Sequence, residues 1–178
     1  MKRWFVISAI GQDRPGLVAE LARLIYDCDA NLEDSRMTIL GTDFAVILLA
    51  SSSAPGCADR LNQGAKRLER DHGLTILVRA LESLPRSPVP APGFVAMRVT
   101  ASGQDRAGIV AGICRVLADH GVNIADLSTR SVPRFGGQPH YEMNALVEVP
   151  ENLDVATLRA ALDREAERLV LDVTLAPA

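Results

Sequence analysis

The stretch Gly11-Gln12-Asp13-Arg14-Pro15-Gly16-Leu17-Val18-Ala19 returns later in the chain as Gly103-Gln104-Asp105-Arg106-Ala107-Gly108-Ile109-Val110-Ala111. The same offset relates Leu21 to Ile113, Leu24 to Val116, Ile25 to Leu117 and Asn31 to Asn123. Self-similarity at a fixed offset is read before any local signal, because it defines the folding unit. Two copies of this size mean a duplicated domain.

Working outward from the first copy, Trp4 to Ile10 is apolar and β-prone and predicts a strand. Gly11 to Gly16 reads as a loop. Leu17, Val18, Leu21, Leu24 and Ile25 fall on one helical face, and Pro15 suits the first turn, where a missing N–H costs nothing. Asn31 to Leu40 predicts a second strand, Gly41-Thr42-Asp43 a hairpin turn, and Phe44 to Ala50 a central strand. Leu61, Ala65 and Leu68 mark another helix, closed near His72-Gly73, and Leu74 to Leu81 a last strand. The second copy repeats this order: alternating Val95, Met97 and Val99; a helical stripe from Ile109 to Leu117, ended at His120-Gly121; and a strand from Ile124 to Val132. Apolar alternation from Tyr141 to Val149 predicts the next strand, Val155, Leu158, Leu162 and Leu169 a helix, and Val170 to Leu175 the last strand. Its middle hairpin, Pro133 to His140, is longer. The order β-α-β-β-α-β predicts the α+β ferredoxin-like arrangement twice over, each antiparallel sheet carrying both helices on one face. The other face needs a partner sheet or domain, or stays wet.

Between the copies, Pro85, Pro88, Pro90 and Pro92 forbid helix and central strand and predict an extended linker. The expected division is a first domain over 1–83, a linker over 84–93 and a second domain over 94–178. At 178 residues, 48% hydrophobic and 23% charged, the chain can bury a core in each half. A net charge of −3 argues against a stand-alone nucleic-acid binder. Cys28, Cys57 and Cys114 are scattered and odd in number, which points away from disulfides and towards a cytoplasmic protein. The start of the sequence lacks a signal-peptide pattern, and no apolar run is long enough to span a membrane.

The candidate site is the repeated loop. It joins a strand end to a helix N-terminus, where backbone N–H groups and the helix dipole favour an anion. Gly11, Asp13, Arg14 and Gly16 are its candidate residues in the first copy, and Gly103, Asp105, Arg106 and Gly108 in the second. Asn31 and Asn123 open the next strand, and an amide that donates and accepts suits an α-amino acid. The plainer reading makes Asp13 and Asp105 helix caps and the asparagines ordinary turn residues. His72 and His120 read as helix-end residues, and His140 as a loop histidine. Glu33 and Asp34 read as the solvent side of a strand, and Arg60, Lys66, Arg67 and Arg70 as a solvated helix face. Neither a metal-ligand spacing nor a catalytic motif is present.

The Gly-x-Asp-Arg-Pro-Gly-Leu-Val-Ala motif after a first strand, with Asn31 opening the second, resembles the ACT domain. Two copies over nearly the whole chain are similar to the glycine cleavage system transcriptional repressor family, as are Asn31-Leu32-Glu33-Asp34-Ser35-Arg36-Met37 and Asn123-Ile124-Ala125-Asp126-Leu127. The resemblance implies a non-enzymatic, cofactor-free sensor of an amino acid such as glycine or serine, with the ligand at the loops and asparagines named above. It also implies action through a protein partner that itself binds DNA, with no direct nucleic-acid or membrane contact. Ala107 departs from the motif's proline. A homodimer or a tight pair of domains within the chain is expected. The competing expectations are a dimerisation module without a ligand, and an enzyme using Asp13 and Arg14 with His140.

Overall fold

The structure, a computed structural model, describes residues 1–85, 90–133 and 137–178. Two compact units, Met1–Arg86 and Ser87–Ala178, each hold a four-stranded antiparallel sheet. The expected linker falls partly on residues 86–89, and the long hairpin of the second copy partly on residues 134–136. Both stretches lie outside the described residues.

The first unit runs β1 (Arg3–Gln12), α1 (Leu17–Asp27), β2 (Asn31–Leu40), β3 (Asp43–Ser52), α2 (Cys57–His72) and β4 (Thr75–Ala80), with sheet order β2-β3-β1-β4. The second runs β5 (Phe94–Gln104), α3 (Ile109–Asp119), β6 (Asn123–Val132), β7 (His140–Pro150), α4 (Val155–Leu169) and β8 (Leu171–Pro177), with order β6-β7-β5-β8. This is the ferredoxin-like topology twice, in the α+β class.

Strand alternation decides what is buried. Phe5, Ile7 and Ala9 of β1 and Phe44, Val46, Leu48 and Ala50 of β3 point to one face, where Leu17, Leu21, Leu24 and Ile25 of α1 and Leu61 and Ala65 of α2 cover them. Each fully buried Leu, Ile or Phe there is worth about 1.5–3 kcal/mol over exposure. The second core repeats the plan with Val99, Ala101, Ala145 and Val147 under Ile113, Leu117, Leu158 and Leu162.

Several boundaries differ from the sequence expectation. The ladder of β1 continues through Gly11 and Gln12, opposite Phe44 and Asp43, so two residues read as loop are strand. Helix α2 starts at Cys57, behind Gly56 in the left-handed conformation (φ 70°). Val170 is not strand: it ends α4 in the left-handed conformation (φ 57°, ψ 54°), where the equivalent Gly73 ends α2 (φ 66°). Asp154 caps α4 by accepting the Ala156 and Thr157 amides. The Thr157 hydroxyl and the Ala156 amide hold its carboxyl below the usual range.

Candidate functional site

Each copy of the loop ends in a glycine whose backbone no other residue adopts easily. Gly16 (φ 100°) and Gly108 (φ 94°) are the N-cap residues of α1 and α3, and neither helix has a side-chain cap. Asp13 and Asp105 are therefore not helix caps. The Asp13 amide donates to the Thr42 carbonyl at 2.9 Å, and the Asp105 amide to the Pro139 carbonyl at 2.9 Å, so both loops are tied to the hairpins beside them. The Asp105 carboxylate also accepts the Ser131 hydroxyl at 2.6 Å.

Gly11 and Gly103 have a different reason to be glycine. A Cβ at Gly11 would lie 2.7 Å from Leu74 Cδ2, and one at Gly103 would lie 2.8 Å from Leu171 Cδ2 and 3.0 Å from the Val170 carbonyl. These two glycines admit the chain that enters β4 and β8. They serve packing.

The arginines diverge. Arg14 donates to Glu20 Oε2 at 2.7 Å, and the same carboxylate oxygen lies 3.1 Å from His72 Nε2. The repeat puts Gly112 where Glu20 stands, and Arg106 instead donates to the neutral Gln104 Oε1 at 3.0 Å. His120 turns its Nδ1 to the Val116 carbonyl at 2.7 Å, a local helix-end contact, and His140 opens β7 opposite Gln104. Arg60 is more than a solvated side chain: it donates to the Cys28 carbonyl and the Asp29 carboxylate, both at 2.9 Å.

The asparagines lie at the opposite end of each sheet from the loops. Asn31 pairs with Ser51, which faces Trp4, whereas Gly11 faces Phe44. The run of β1 from Trp4 to Gly11, at about 3.3 Å per residue, separates them by roughly 23 Å. Asn123 is likewise opposite Glu148, at the far end of β5 from Gly103. The sequence-predicted set thus splits into two groups within each domain, because an intact helix carries the chain back to the other end of the sheet.

At the Asn31 end lies an open cleft of about 560 Å³, lined by Lys2, Tyr26, Asp27, Asp29, Ala30, Asn31 and Ser51 to Ser53. Glu33 sits at a bulge in β2 on its margin. It accepts from Ser51 Oγ and from Lys2 Nζ at 2.9 Å. The Ser51 hydroxyl, then Lys2 and then Asn31, lower the Glu33 carboxyl from 4.5 to about 2. Glu33 is therefore engaged, against the expectation of an idle solvent-side residue. In the second domain Asn123 Nδ2 donates to Glu148 Oε2 at 2.7 Å, and Glu148 is buried. Sequence reasoning missed Lys2, Glu33, Ser51 and Glu148. The run Ser51-Ser52-Ser53 directly after an apolar strand was the available signal.

Burial pushes the Cys28 and Cys114 thiols up, which disfavours the thiolate that a nucleophile needs. Among the described residues no group of three His, Cys, Asp or Glu side chains forms a metal site, and no helix is long and apolar enough to cross a membrane.

A duplicated βαββαβ module, each copy with a glycine-started helix after its first strand, defines the class. The chain belongs to the ACT domain family, matched over residues 3–79 and 97–176. It is similar to the glycine cleavage system transcriptional repressor of Escherichia coli (strain K12), with 30% identity over 164 residues, 90% of this chain and 82% of that protein. The crystal structure of an unknown protein from Galdieria sulphuraria is 30% identical and superimposes with a TM-score of 0.83, covering 100% of this chain and 99% of that one. A crystallised candidate glycine cleavage system transcriptional repressor shares the fold at 20% identity, with a TM-score of 0.70 over 98% of this chain and 96% of that one.

Proposed function

We propose that this chain is a non-enzymatic, cytoplasmic regulatory protein that senses an amino acid and passes the signal by contact with a DNA-binding regulator. Two ACT domains and the similarity to a transcriptional repressor support a regulatory role. The net charge of −3 favours a protein partner over direct DNA contact.

The observation that carries the ligand assignment is the cleft at Asn31. It offers the Lys2 ammonium, the Asn31 amide and serine hydroxyls to a carboxylate, and Glu33, Asp27 and Asp29 to an ammonium. The Lys2–Glu33 pair is partly exposed and contributes little by itself. A zwitterion with its carboxylate toward Lys2 and its ammonium toward Glu33 exchanges one weak pair for two. The Gly11–Gly16 and Gly103–Gly108 loops, with their open helix starts, are the proposed second contact region for anionic groups. Ligand binding then shifts the population towards one arrangement, and partner affinity changes by the differential binding energy.

A thermal-shift screen against the twenty amino acids tests this reading, with glycine and serine the first expected ligands. A ligand at a hundred times its Kd adds about 2.7 kcal/mol, enough to move the midpoint by several degrees. Asn31→Ala is expected to abolish the shift while leaving the unliganded melt nearly unchanged. No shift with any amino acid, or a shift untouched by Asn31→Ala and by Gly16→Ala, would overturn the assignment.

A further inference from the structure

The two sheets share a fold but not an outer surface. On the face away from the helices, β1, β3 and β4 present Val6, Ile10, Ile47, Leu49 and Leu77. Ile10, Ile47 and Leu77 are 52%, 49% and 64% exposed. At the equivalent positions the second sheet carries Arg98, Ser102, Asn144, Leu146 and Thr174, where Arg98 bonds Asn144 at 3.0 Å and Thr100 bonds Thr174 at 2.7 Å. The second sheet is thus an internal control: the same topology, dressed for water. An apolar patch retained on one copy alone marks a contact surface.

From the register of this face we infer that the first domain pairs face to face with the first domain of a second copy of this chain, about a two-fold axis parallel to the strands. Such an axis lays β2 over the partner's β4 and β3 over the partner's β1. Three rows then meet. In one, Ile10 faces Ala45, large against small. In the next, Ile47 faces Ser8, again large against small, and Arg36 faces Leu77. In the third, Leu49 faces Val6, and Asp34 faces Arg79 at both ends. The axis applies each match twice, as an isologous interface requires. The alternation of large and small lets sheets about 10 Å apart interdigitate, and the flanking Asp34–Arg79 pairs fix the register. Two central ten-residue strands and flanks limited by the six-residue β4, spaced about 4.8 Å apart, give a footprint of roughly 500 Å² per copy, in the range of weak, transient interfaces. A reversible dimer is therefore expected.

Sedimentation velocity from low micromolar to submillimolar concentration tests this. The wild type is expected to pass from monomer to dimer, and Ile47→Glu to weaken the dimer at least tenfold. Ile47 is half exposed in the monomer, so the variant should keep its circular dichroism and melt. Asp34→Arg and Arg79→Asp should each weaken the dimer, and the double variant should recover it, a result that does not depend on Ile47→Glu folding. Asn144→Glu, on the polar sheet, should change nothing. A wild type that stays monomeric overturns the inference. So does a dimer indifferent to Ile47→Glu, a loss as large with Asn144→Glu, or a double variant no better than the single ones.

Discussion

Glu148 occupies in the second sheet the register position that Ser51 occupies in the first, each directly opposite an asparagine, Asn123 or Asn31. In the first domain a carboxylate arrives from the bulge of β2, as Glu33, and bonds Ser51. In the second it rises from β7 itself and takes the Asn123 amide. Duplication kept an acid beside the asparagine but changed the strand that supplies it, leaving one acid at the surface and one inside.

That difference predicts unequal costs. Asn123→Ala removes a donor from a buried carboxylate, and hydrogen bonds to charged groups are worth about 1.5–3 kcal/mol. Urea denaturation should show a loss of that order for Asn123→Ala. Asn31→Ala, beside an exposed acid that keeps Ser51 and Lys2, should lose under about 1 kcal/mol. Equal losses would show that burial of Glu148 does not govern the pair.

The lowered Glu33 carboxyl sets a pH dependence. A folded value of about 2 against an ordinary 4.5 means the folded state holds this proton less tightly than the unfolded chain. The stabilisation is complete above pH 4.5 and disappears as the pH falls towards 2. The melting temperature of Glu33→Gln should therefore fall less steeply than the wild type's over that window. Parallel curves would contradict the assignment.

Val170 holds a left-handed conformation that costs a β-branched residue roughly 1–2 kcal/mol, while its side chain is 62% exposed. Val170→Gly should stabilise the protein by about 0.5–1 kcal/mol after the entropy of a freer unfolded chain is deducted. Gly73→Val, at the matching helix end, should destabilise by a similar amount. Denaturant midpoints of the two variants check the opposite signs.

Gly11→Ala forces a methyl against Leu74, an overpacking that costs about 1–3 kcal/mol. Gly103→Ala should cost at least as much, since the nearby Val170 carbonyl is backbone and yields less readily. Both changes should lower the melting temperature, which thermal denaturation of the two variants would reveal.

The fold was legible because the motif occurs twice and the apolar residues keep their periods, so the element order could be read directly from positions such as Leu17, Leu21 and Leu24. The ends of elements were less legible. Gly11 looks like a loop residue by type, and only the approach of Leu74 explains a glycine inside a strand. Val170 looks like the start of a strand, and only the helix end beneath it requires the left-handed turn. The site was legible in parts. Residue types picked out the loops and asparagines, but nothing local reveals that an eleven-residue helix sends Asn31 to the far end of the sheet. Glu33 and Ser51 meet through strand pairing, which no short-range pattern records.

The salt contact between Arg14 and Glu20 gives the duplication an electrical meaning. In the first loop a guanidinium is cancelled where it stands, and the helix start beside it offers a nearly neutral rim. In the second, Gly112 stands where Glu20 does, the Glu165 carboxylate beside it is held by Arg168, and Arg106 donates to the neutral Gln104. Two loops spelled almost alike therefore present different potentials to an approaching anion.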